Sequence, residues 1–207
     1  WKGEVKVELK LKKPTDFTLM VRIPGWAVNK PIPSDLYRYV ERDTAEPKLE
    51  LNGEPVALNI EKGYVPITRE WRDGDTVRLV LPMAPRRVLA HEAVEADRGR
   101  VAVERGPIVY CAEWPDNGGR VSNIVLPDAS ALEAEPRPDL LDGVVVIKAE
   151  AEALREKAGT VAGEKKQVTL IPYYAWANRG RGEMAVWLAR IPEKALVARE
   201  PGPAAAA

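Results

Sequence analysis

Hydrophobic and polar positions alternate from the first residues of the chain. In "WKGEVKVELKLKK", Val5, Val7, Leu9 and Leu11 fall on one side and Glu4, Lys6, Glu8, Lys10 and Lys12 on the other. A period of two predicts a half-buried strand of an antiparallel sheet. Pro14 ends it. Phe17, Leu19, Val21 and Ile23 then mark a second strand, closed by Pro24-Gly25. "KLELNGEPVALNI" predicts a hairpin: Leu49 and Leu51 precede Asn52-Gly53, a pair that tolerates the positive φ of a tight turn, and Val56, Leu58 and Ile60 follow. "GYVPITREWRDGDTVRLVLPM" predicts a strand, a turn at Asp73-Gly74, and a strand with Val77, Leu79, Leu81 and Met83 on one face. Two short strands are expected at 101–104 and 108–112, broken at Gly106-Pro107.

Short strands with turn signals at intervals of about 10 residues predict an all-β fold of antiparallel, jelly-roll-like β-sandwich domains. Two in tandem fit the length of 207 residues. The proline- and acid-rich stretches "EWPDNGG" and "DASALEAEPRPD" place the boundary near residue 113, giving domains 1–112 and 113–207. In the second, strands are expected at 144–148, 167–174 and 184–189. "AEALREKAG" has helix-forming composition and reads as a mobile loop with a helical turn. The tail "PGPAAAA" reads as disordered.

Composition narrows the function more than it identifies it. Lysine plus arginine balances aspartate plus glutamate at 31 each, so no long-range field draws the chain to nucleic acid or an anionic membrane. No apolar run reaches the roughly 20 residues that span a bilayer. The chain opens without an initiator methionine, which reads as a fragment or a processed product. The single cysteine, Cys111, excludes an internal disulfide and a cysteine zinc cluster, and is compatible with a reducing, cytoplasmic compartment.

Candidate chemistry is thin. His91 is the only histidine, and a triad would have to join it to Ser34, Ser122 or Ser130 across distant loops. Cys111 lies inside an apolar strand and reads as structural. Asp73 and Asp75 read as turn formers beside Gly74, and Gly180 and Gly182 as hairpin turn residues. The aromatic set in "LIPYYAWANRGRGEMAVW" has two readings. Extended as a strand, Tyr173 shares a face with Ala175 and Ala177, and Trp187 lies with Ala185 and Ala189, which favours rings packed in a core or at a domain interface. Alternatively, Tyr173, Trp176 and Trp187 form a sugar-stacking platform for an arabinose-containing glycan.

Four blocks, "FTLMVRIPGWA" (17–27), "GYVPITREWRDGDTVRLVLPM" (63–83), "ERGPIVYCAEWPDN" (104–117) and "LIPYYAWANRGRGEMAVW" (170–187), stand in an order that resembles glycoside hydrolase family 127, which includes bacterial β-L-arabinofuranosidases. The resemblance implies a helical (α/α)6 barrel followed by β-sandwich domains, with only the sandwich portion represented here. It places the reaction in the absent barrel, where a zinc-bound cysteine thiolate is the nucleophile and a glutamate the acid/base. No catalytic residue, zinc ligand or cofactor is therefore assigned to this chain, which is expected to be inactive alone. Its expected partners are the catalytic barrel and a second copy in a homodimer. Residues 28–48 form a longer connection than the family usually has, and Tyr37, Arg38, Tyr39 and Arg42 are candidates for closing over a cleft or a partner.

Overall fold

A computed structural model describes residues 1–41, 45–157 and 159–199. All regular elements among them are strands and short 3-10 turns, in agreement with the all-β expectation. The chain forms two compact units. One comprises Trp1–Ala84 and the other begins at Pro85.

In the first unit the strands are β1 (Glu4–Glu8), β2 (Thr15–Arg22), β3 (Tyr37–Tyr39), β4 (Lys48–Leu51), β5 (Glu54–Val56), β6 (Tyr64–Trp71) and β7 (Thr76–Val80). A four-stranded antiparallel sheet runs in the order β1-β7-β4-β5, and β2 pairs with β6 in a two-stranded sheet. Residues from both sheets share one core: Leu49, Val77 and Leu79 from the first, Val65 and Trp71 from the second, with Ile23 just beyond β2. This is the two-layer arrangement that alternating patterns demand, since each sheet has one apolar face to hide. Trp71 is its centre. Its indole is fully buried, stacks on Phe17 at 5.5 Å and donates from Nε1 to the Phe17 carbonyl at 3.0 Å.

The turns behave as their residue types require. Asn52 (φ 53°) and Gly53 (φ 86°) both occupy the left-handed region. Asp75 accepts from the Arg72 amide and from Asn52 Nδ2, each at 2.8 Å, and Asn52 Oδ1 accepts from the Thr76 amide at 2.7 Å. The Asp75 carboxyl is held below the usual carboxylate range by the Arg72 amide first and Asn52 second. Two turns distant in sequence, one after β4 and one after β6, are thus tied to one another by side chains. The expected face of β1 is less buried than its pattern suggests: Val5 and Val7 pair with Leu79 and Val77 but lie on an edge strand and are exposed.

In the second unit the strands are β8 (Pro85–Ala90), β9 (Arg100–Arg105), β10 (Ile108–Glu113), β11 (Ile124–Val125), β12 (Glu133–Arg137), β13 (Val144–Lys157), β14 (Thr160–Pro172), β15 (Met184–Ala185), β16 (Leu188–Ala189) and β17 (Ala198–Arg199). Pairing runs β10-β14-β13-β11-β16-β9, and a further β9–β10 pairing closes the circuit. The β11–β16 and β13–β17 pairs are parallel and the rest antiparallel. Closure removes open edges from the centre of the sheet, and both faces of Val144–Ile147 are buried.

Three expectations are corrected here. The chain divides after Ala84, not near residue 113, because β9 and β10 are built into the second unit's circuit. "EWPDNGG" is a 3-10 turn, Trp114–Asn117, inside that unit and not a linker. The stretch "AEALREKAG" is no loop: up to Lys157 it belongs to β13, in continuous register with β14 from Ile147↔Leu170 to Lys157↔Thr160. Ala149, Ala151 and Ala153 are buried while Glu150 and Glu152 are exposed, so the period of two outweighs helical propensity. The tail "PGPAAAA" lies outside the described residues.

Candidate functional site

The two most distinctive sequence blocks meet in the second unit, where the 3-10 turn after β10 faces the segment that follows β14. Pro172 ends β14, since proline cannot extend the ladder as a donor. Tyr173–Ala175 then makes a 3-10 turn. Residues three apart eclipse in that geometry, which brings the Tyr173 and Trp176 rings to 6.1 Å between centroids and 18° between planes. Ala175, in the same turn, is buried.

A cluster of buried charge holds the segment. Glu113, only 2% exposed, accepts from the Ala177 amide at 2.9 Å through Oε1 and from Arg179 Nε at 3.1 Å through Oε2. Arg179 also donates two bonds to Asp116, at 2.8 and 2.5 Å, one to each carboxylate oxygen, whereas its two donors to Glu113 share Oε2. The guanidinium is held charged by Asp116 first, against the opposing effect of burial, and then by Glu113. Next along the chain, Gly180 adopts φ 101° and Gly182 lies against the Trp114 indole. A Cβ at residue 182 would fall 2.1 Å from a Trp114 ring carbon, so glycine is required there. Glu183 completes the anchoring. Its Oε2 accepts from the Val121 and Ser122 amides at 3.0 Å each and from the Ser122 hydroxyl at 2.7 Å. Burial alone would raise its carboxyl, but the Ser122 and Val121 amides outweigh it and hold the group down at about 2.

Asn117 does for β14 what a neighbouring strand would do. Its side chain donates to the Thr169 carbonyl at 2.9 Å and accepts from the Thr169 amide at 3.1 Å, and also donates to the Glu113 carbonyl at 2.8 Å. No sequence cue at Asn117 separates this role from an ordinary turn asparagine. The carboxylates Glu113, Asp116 and Glu183 were likewise not singled out by the sequence, because their partners lie more than 60 residues away.

The ring assignments change with this geometry. Alternation of faces along "YYAWAN" requires a continuing strand, and the turn at Tyr173 breaks it. Within this chain Tyr173 is 43% exposed, Tyr174 64% and Trp176 39%, so these rings are not core. Trp187 is partly buried in the segment between β15 and β16, with its carbonyl accepting from Arg100 at 3.4 Å. In the long connection, Tyr37 is half-buried, Arg38 exposed and Tyr39 buried, in or beside β3. Arg42 lies outside the described residues.

The remaining candidates do not assemble into a reaction centre. His91 is exposed and accepts from the Ala93 amide at 3.1 Å. The Ser122 hydroxyl is committed to Glu183, and Ser34 accepts from the Leu36 amide at 3.3 Å. Cys111 is buried in β10, and burial, reinforced by Glu113, pushes its thiol up to about 12. A thiol held protonated at neutral pH neither attacks nor ligates as a thiolate. No group of three or more His, Cys, Asp or Glu among the described residues is arranged to hold a metal ion. These residues do not fit the zinc centre that the family resemblance places in the barrel. No helix among them is long and apolar enough to cross a membrane.

Two all-β units, the second braced by a clamp of internal charge, define the class by fold, and comparison with known proteins gives the family. Residues 1–83 match the family description "Beta-L-arabinofuranosidase, GH127 middle domain", and residues 85–189 match "Glycoside hydrolase family 127 C-terminal domain". The chain belongs to glycoside hydrolase family 127. It is 34% identical to a non-reducing end β-L-arabinofuranosidase of Bifidobacterium longum subsp. longum, covering 92% of this chain and 29% of that protein. Among solved structures, a GH127 β-arabinofuranosidase superposes with a TM-score of 0.91 at 42% identity, covering 97% of this chain and 31% of that one. A GH127 β-L-arabinofuranosidase from Geobacillus stearothermophilus T6 gives a TM-score of 0.76 at 38% identity, covering 97% and 29%. The chain therefore spans about three-tenths of the length of these relatives.

Proposed function

We propose that this chain is a non-catalytic, accessory β-sandwich region of a β-L-arabinofuranosidase-like glycoside hydrolase, whose work is to support a helical catalytic barrel. One observation carries the reading: nearly the whole chain corresponds to about three-tenths of its relatives, and that part matches middle and C-terminal domain models. The chemistry of the described residues is in keeping with it. Every buried carboxylate of the charge clamp is spent on fastening backbone and Arg179, so none is left free and paired across a cleft as glycoside hydrolysis requires. A second copy of the chain is a further proposed partner, in a homodimer.

The test is direct. The purified chain, with and without added zinc, is expected to release no p-nitrophenol from p-nitrophenyl β-L-arabinofuranoside. Turnover that scales with the concentration of the chain and disappears on its removal would overturn the reading. Light scattering on the same sample decides whether a homodimer forms.

A further inference from the structure

We infer that residues 173–183 form a hinged strap that opens as one unit while the strands at its two ends stay paired, and that Glu113 is its latch. Among the described residues, those of the strap enter no ladder, although both flanking residues do: Pro172 pairs with Tyr110 and Met184 with Glu113. β14 and β15 lie on either side of β10, so the strap carries the chain from one edge of that strand to the other. A span without a shared ladder has to be fastened by side chains, and it opens at lower cost than the strands beside it.

The fastening comes from one short piece of chain, residues 113–122. Glu113 accepts from the Ala177 amide and from Arg179, and Asp116 holds the same guanidinium. The Trp114 amide donates to the Glu183 carbonyl at 3.0 Å, and the Glu183 carboxyl accepts from the Val121 and Ser122 amides. Gly182 lies against the Trp114 indole between these two sets of bonds. Contacts linked in this way support one another, so the loss of one weakens the rest. Backbone strain points to the same unit. Ala177 has φ 66°, in the left-handed region that a residue with a Cβ seldom adopts. Such a conformation persists only where its surroundings impose it, and Glu113 imposes it by accepting from that residue's own amide at 2.9 Å. Opening the strap releases this strain. Tyr173 and Trp176, stacked on one another, travel with it. The inference concerns motion inside the chain, and its failure would leave the accessory role intact.

Hydrogen–deuterium exchange of the full chain, resolved at single amides by NMR, reads the opening. Five amides bond within the strap or across to it: Trp114, Val121, Ser122, Trp176 and Ala177. They are expected to share one level of protection, lower than that of Leu170, whose residue pairs with both β10 and β13. Glu113→Gln should lower protection at all five by about tenfold, the weight of a hydrogen bond to a charged group. That includes Val121 and Ser122, which bond to Glu183 instead. Glu183→Gln should lower protection at Ala177, which bonds to Glu113, and decides the matter if the first variant fails to fold. Ala177→Gly should raise protection at the other four by about threefold by removing the strain. Changes confined to the amides that the substituted residue itself bonds would overturn the inference. So would protection equal to that of Leu170, since the strap would then open only with the whole unit.

Discussion

Glu113 is nearly sealed from water, and its carboxyl is satisfied there because three donors converge on it: the Ala177 amide and two groups of Arg179. Removing one member of such a pair leaves the other desolvated and unmatched, which costs far more than the pair gains over an apolar substitute. Glu113→Ala is therefore expected to lower stability by about 3 kcal/mol, read from urea denaturation, and to loosen the segment that carries Tyr173 and Trp176. Glu183 gives a pH signature. Its folded value of about 2 lies below the ordinary 4.5, so its contribution is fully present above pH 4.5 and drains away as pH falls from there toward 2. Denaturation midpoints measured from neutral pH downward should drop more steeply in the parent than in Glu183→Gln, whose side chain does not titrate. None of this was readable from sequence. A carboxylate two positions from a cysteine looks like any other acid until the fold shows what it faces.

At the scale of elements, periodicity was a good guide where one face meets a core and the other meets water. The alternation of Phe17, Leu19 and Val21 in β2, and the Asn52-Gly53 turn between β4 and β5, appear where the pattern puts them. The pattern misleads in two situations. In β13, buried alanines alternate with charged residues, and alanine's helical preference of a few tenths of a kcal/mol per residue yields to a ladder shared with β14. In "YYAWAN", a proline and a 3-10 turn interrupt the strand, so counting by twos assigns rings to faces that do not exist. Asn117 illustrates what elements need from outside themselves: it finishes the β14 ladder at Thr169 with an amide side chain. Asn117→Ala should cost about 2 kcal/mol and accelerate amide hydrogen exchange at Thr169 more than at Leu170, whose residue pairs with β10 and β13.

For the molecule as a whole, zero net charge predicts weak, unsteered encounter with polyanions. The chain is expected to pass through a heparin column at physiological salt without retention, and elution only at high salt would reveal a basic patch that the total conceals. The amino-acid sequence by itself determined the all-β class, most turns of the first unit, and the family, because these rest on local periodicity, on the φ tolerance of Asn and Gly, and on residue order in four blocks. Only the tertiary structure decided where the units divide, which carboxylates are buried, and that Tyr173 and Trp176 face outward. Each of those depends on which distant strands share a ladder and which groups lose their water, and a linear pattern carries no record of either.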